Sequence, residues 1–89
     1  MAPESAAAHK NLAGFLFKQG DFAGARMALE SVATLDPAAP EAQRDLAVVC
    51  WRLKDYDDAW AYVRQARAQG HPVPPEFIEQ LRRDSGRNG

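Results

Sequence analysis

The stretch "KQGDFAGA", Lys18 to Ala25, breaks an apolar helical pattern with a Gly-Asp pair and then resumes on small residues. The stretch "LKDYDDA", Leu53 to Ala59, makes the same break 34 positions later in changed letters. Gly20 supplies the left-handed residue that stops a helix, and Asp21 is suited to cap the start of the next. With only two or three residues between them, two helices must fold back antiparallel as a hairpin.

Outward from this turn the pattern is helical throughout. Ala6 to Lys18 carries Leu12, Ala13 and Leu16 on one stripe, with no proline or β-branched cluster against it. Phe22 to Leu35 presents Phe22, Ala25, Leu29 and Val32 before Asp36-Pro37 ends it. "DPAAPEAQ" is a proline-marked turn, with Pro40 placed as a first-turn residue of a third helix that carries Leu46, Ala47, Cys50 and Leu53. A fourth helix spans about Tyr56 to Gln69 and stops at Gly70. After "GHPVPP", the segment "EFIEQLRRD" places Phe77, Ile78 and Leu81 on one stripe, and "SGRNG" has nothing to bury and should fray. The expected fold class is all-α: about five helices as antiparallel hairpins stacked into a short α-solenoid.

A chain of 89 residues is long enough for one small domain, burying only roughly 60 to 65% of the surface its unfolded form exposes. Eleven basic and 12 acidic residues give a net charge of -1, which offers no electrostatic reason to expect nucleic acid or an anionic membrane. The single cysteine, Cys50, excludes an internal disulfide, and with only His9 and His71 beside it a zinc site is not expected. No metal and no other cofactor is implied. "MAPESAAAHK" lacks the basic start and apolar stretch of a secretory signal, so a soluble protein in a reducing cytoplasmic setting is expected.

Sliding the sequence on itself by 34 pairs Ala8 with Ala42, Lys10 with Arg44, Leu12 with Leu46, Ala13 with Ala47, Phe17 with Trp51 and Lys18 with Arg52. Without a gap the pairing continues through Asp21 and Asp55, Phe22 and Tyr56, Ala25 and Ala59, Leu29 and Val63. This period and pattern resemble the tetratricopeptide repeat family. The pattern reads His9-x2-Leu12-Ala13-x2-Leu16, Ala25-x3-Leu29 and Pro37, then Gln43-x2-Leu46-Ala47-x2-Cys50 and Ala59-x3-Val63, with Pro72 one place beyond the expected proline. Ala13, Ala25, Ala47 and Ala59 sit where two helices approach too closely for a large side chain. His9 and Gln43 depart from the family's tryptophan, Cys50 from its tyrosine, and Lys54 stands where the first turn has Gly20. The resemblance implies repeat one over 6–39, repeat two over 40–73, and a capping helix over 74–84 that covers helix four.

The resemblance also implies a non-catalytic module whose first helices line a concave groove for a peptide or a partner helix. On this sequence those positions are Lys10, Gly14, Phe17 and Lys18, then Arg44, Val48, Trp51 and Arg52. Aromatics beside basic side chains suit a protein ligand with an apolar anchor and an acidic group. A second reading of Phe17 and Trp51 has them packing on each other and on aliphatic stems, with Lys18 and Arg52 as solvated surface. Gly14 and Asp45 occupy places where the subfamily that clamps chaperone tails uses asparagine, so that ligand is not expected. Cys50, on the core stripe, reads as a buried inert thiol. In "DYDD", Asp55 reads as a helix cap, and Asp57 and Asp58 as first-turn charges favoured by the helix dipole. No nucleophile or acid-base constellation points to an enzyme. The alternative to groove binding is self-association, as a homodimer or by hairpin exchange, through the uncovered face of helix one.

Overall fold

In the computed structural model, which describes residues 5–39 and 41–87, five helices follow one another: α1 (Ala6–Lys18), α2 (Phe22–Leu35), α3 (Ala42–Arg52), α4 (Tyr56–Ala68) and α5 (Pro75–Ser85). The chain pairs α1 with α2 and α3 with α4 as hairpins, and α2 packs on α3 to join them. The expected small residues Ala13, Ala25, Ala47 and Ala59 are all buried at these crossings. The expected role of Pro40 lies outside the described residues, and α3 has Glu41 as its N-cap residue.

Both hairpin turns close the same way. After α1, the Gly20 N–H donates to Phe17 O (3.0 Å) and the Asp21 N–H to Leu16 O (2.9 Å). After α3, Lys54 N–H donates to Trp51 O (3.0 Å) and Asp55 N–H to Cys50 O (2.8 Å). This pair of bonds needs a left-handed residue, and Gly20 (φ 81°) and Lys54 (φ 63°) supply it. Lysine has a Cβ that opposes that conformation, at a cost of roughly 1–2 kcal/mol. Lys54→Gly is therefore expected to stabilise the fold by about 1 kcal/mol. Urea unfolding followed by circular dichroism measures it, and an unchanged midpoint would contradict it.

The two aspartates that open the second helices behave differently. Asp21 Oδ1 accepts the Gly24 N–H (2.9 Å), and a Cβ at Gly24 would lie 2.6 Å from Asp21 Oδ2. Asp55 occupies the N-cap position of α4 as expected, without a direct side-chain capping bond of the Asp21 kind. Its Oδ2 accepts from Arg26 Nη1 (2.8 Å) instead, while Arg26 also pairs with Asp58 and Glu30. The guanidinium holds the Asp55 carboxyl below the usual carboxylate range. Arg26 thus ties α2 to the start of α4 across the junction between repeats.

Two apolar clusters make the core. One joins Ala13, Ala25, Ala28 and Leu29 to Leu46 and Val49, and the other joins Ala47, Cys50, Ala59, Trp60 and Val63 to Ile78 and Leu81. In the second, Ile78 and Leu81 of α5 pack with Ala59, Trp60 and Val63 of α4. Trp60 Nε1 donates to Ser85 Oγ (3.0 Å), and Trp51 Nε1 donates to Asp84 Oδ2 (2.6 Å), fastening the last turn of α5. Gly86 ends α5 in the left-handed region and Arg87 pairs with Asp57, while the last two residues of the tail expected to fray lie outside the described residues.

Two apolar residues expected on core stripes are not in the core. Leu53 follows the last residue of α3, where the turn lifts it off the stripe, and it is exposed. Leu12 is 47% exposed although its repeat partner Leu46 is fully buried. The difference is the neighbour: α2 lies over α3, and no described helix lies over α1 in the same way.

Candidate protein-interaction groove

Between α1 and α3 runs an apolar groove of about 430 Å³. Buried Ala13, Leu29 and Val49 form its floor, and Gly14, Phe17 and Val48 its walls. Lys10 and Lys18 lie on its α1 rim and Asp45 on its α3 rim. Residues one helical turn apart on α1 reach it because Lys10, Ala13, Gly14, Phe17 and Lys18 fall on one side of the helix. Gly14 is what keeps the middle open: a Cβ there would meet nothing within 4 Å. A glycine inside a helix costs about 0.5–1 kcal/mol relative to alanine, so the open space is held against helix propensity.

The two ends of the groove differ in charge. At one end Lys10 pairs with Glu41, and Arg44 reaches Glu41 (3.9 Å) and Asp45 (3.7 Å). Lys10 holds the Glu41 carboxyl below its ordinary range. Burial pushes the Asp45 carboxyl above its own, with Arg44 pulling the other way. At the other end Lys18 and Arg52 have no carboxylate partner within salt-bridge distance among the described residues. Arg52 lies against aromatic rings instead, 5.8 Å from the Phe17 centroid, 5.7 Å from Phe22 and 5.1 Å from Trp51.

Of the eight residues expected to form the groove surface, Lys10, Gly14, Phe17, Lys18 and Val48 line this cavity. Arg44, Trp51 and Arg52 do not. Arg44 is drawn into the ion-pair group at the N-terminal end of α3, and Arg52 onto the rings. Trp51 packs edge-on against Phe77 of α5 (5.7 Å), while Phe17 packs edge-on against Phe22 (5.1 Å). The two aromatics therefore pack, each with a different partner, and Arg52 lies between them. Ala13, Leu29 and Asp45 also line the cavity, though their sequence positions read only as core or as departures from a pattern, and Val49, which the apolar pattern does not single out, joins them. Leu29 and Val49 serve both core and groove, and apolar periodicity alone does not separate those roles.

Other chemistry is muted. The Cys50 thiol is buried, and burial pushes it up to about 11, so it stays protonated and inert at neutral pH. Gln43 is buried, and its side-chain oxygen has no hydrogen-bond partner among the described residues. Among the described residues no group of three His, Cys, Asp or Glu side chains could hold a metal ion, and no helix is long and apolar enough to cross a membrane.

Stacked antiparallel helical hairpins, a period of 34 and a groove lined by the first helix of each hairpin define a short α-helical repeat protein. A family model described as tetratricopeptide repeat matches residues 16–77, and the chain belongs to that family. Repeats of this family generally mediate protein–protein interaction and are typically non-catalytic. No curated protein matches the chain.

Proposed function

We propose that the α1–α3 groove holds a segment of a partner protein, as a peptide or a helix, and that the chain acts as a non-catalytic interaction module or scaffold. Its unit is the whole array, repeats over 6–39 and 40–73 and the cap from 74. A reducing cytoplasmic setting suits the free thiol of Cys50. An apolar anchor of the partner lies over Ala13, Gly14 and Val48, and an acidic group points to the Lys18 end. The observation that carries this reading is the charge asymmetry of the rim: Lys10 is neutralised by Glu41 at one end, and Lys18 at the other has no carboxylate partner among the described residues.

Gly14→Leu separates binding from folding. It fills the groove from a site with room for a side chain, and on helix propensity it should stabilise the chain by about 0.5–1 kcal/mol. A peptide array of acidic-flanked apolar segments, followed by titration calorimetry on the best binder, is expected to show at least about a tenfold loss for this variant. Lys18→Ala should weaken the same binder less and flatten its salt dependence. Undiminished affinity in both variants would remove the groove from the account.

A further inference from the structure

The face of α3 built by Ala42, Leu46, Val49 and Cys50 is wholly buried, and Leu46 and Val49 pack there in one cluster with Ala25, Ala28 and Leu29 of α2. One period earlier, the same positions of α1 are Ala8, Leu12, Phe15 and Leu16. Their chemistry is equally apolar, yet Phe15 is 59% exposed where Val49 is 1% exposed. No charge interrupts this face, and the neighbouring exposed Asn11 and Gln19 are neutral. A face of a repeat array that no neighbouring helix covers ordinarily needs polar residues or a cap to stay soluble. The opposite end has such a cap in α5, and α1 has none among the described residues.

We infer that this face of α1 is a docking surface, separate from the groove, for a helix of a partner protein that presents the chemistry of α2. The α2–α3 interface, continued by one period, defines the occupant. It carries small residues at three- or four-residue spacing beside a leucine or valine, as α2 carries Ala25, Ala28, Leu29 and Val32. Phe15 is larger than Val49, so the residue opposite it must be alanine or glycine. The occupant also carries an arginine. Arg26 of α2 reaches Asp55 at the turn of the covered repeat, and the equivalent of Asp55 is Asp21, which is exposed and engages its Oδ1 on the Gly24 N–H.

A second copy of the chain does not supply this helix. Its α2 face is engaged by α3 and its α4 face is closed by α5. Two α1 faces meeting would set leucine and phenylalanine against each other, where the interface accepts small residues.

The probe is a synthetic helix of residues 21–36, stapled between positions 23 and 27, which are both exposed in α2. Titrated into the isotope-labelled full chain, it should move the amide signals of Leu12, Phe15 and Asp21 in a saturable way. Phe15→Glu, at an exposed site, should weaken binding at least about tenfold, and Arg26→Gln in the peptide about threefold or more. Gly14→Leu should change nothing, which distinguishes this surface from the groove. Leu12→Gln provides a second variant should Phe15→Glu perturb the fold. Absence of saturable shifts, or shifts confined to Lys18 and Val48, would overturn the inference. So would a concentration-dependent dimer dispersed by Phe15→Glu, which would assign the face to a second copy.

Discussion

Leu46→Ala is expected to cost about 2–5 kcal/mol, and the same change at its repeat partner Leu12 about 1 kcal/mol or less. The two leucines are equivalent in pattern and in helical phase. Leu46 has no exposed surface and sits against α2, so its loss leaves a cavity that fixed helix axes cannot close. Leu12 is half in water already, and the atoms lost there were gaining little from burial. A domain of this size is stable by only about 5 kcal/mol or somewhat more. Leu46→Ala should therefore melt near or below physiological temperature, while Leu12→Ala stays folded. Urea unfolding of both variants in parallel measures the difference. Equal losses would contradict an open α1 face, and a contrast that returned only on dilution would assign its cover to a second copy.

This pair also marks where the sequence stops being informative. The turns at Gly20 and Lys54 and the buried alanines all follow from features a sequence carries locally: a residue type, a spacing, a helical phase. The phase of a side chain about its own helix is periodic and can be read. What stands opposite it depends on the neighbouring helix and cannot. Trp51 illustrates this, because its phase matches Phe17 but its indole meets Phe77 and Asp84 on α5. Those partners are remote in sequence and are set by the angle at which α5 docks. Arg44 and Arg52 likewise lie at the expected phase of α3, yet each is drawn off the groove by neighbours, carboxylates for one and rings for the other. Asp55 keeps its N-cap position, yet its carboxylate is engaged by an arginine 29 residues earlier. In each case the residue type was compatible with two partners, and tertiary geometry chose between them.

Leu81→Asp should release α5 and expose the end of the array. Leu81 is fully buried in the cluster of Ala47, Cys50, Ala59, Trp60, Val63 and Ile78, with no cation in that cluster to meet a carboxylate. Burying an unpaired carboxylate costs several kcal/mol, and the same change removes Leu81 from the three large apolar side chains, with Phe77 and Ile78, through which α5 docks. The helix should therefore detach, leaving both hairpins paired. Trp51 and Trp60 then lose Asp84 and Ser85 together, so tryptophan emission shifts to the red and reports α5 alone. The control Arg83→Asp, at an exposed site of the same helix, should leave emission unchanged. Detachment has a further consequence fixed by the repeat. The face of α4 bearing Ala59, Val63 and Ala66 is one period on from the α2 face of Ala25, Leu29 and Val32. Once uncovered, it matches the bare face of α1 on another copy, a head-to-tail contact that does not close on itself. Light scattering should show the Leu81→Asp variant growing into open-ended oligomers, and adding Phe15→Glu should return it to monomer. Oligomers indifferent to Phe15 would mean that the exposed α4 face associates by itself, and that the α1 face is not complementary to it.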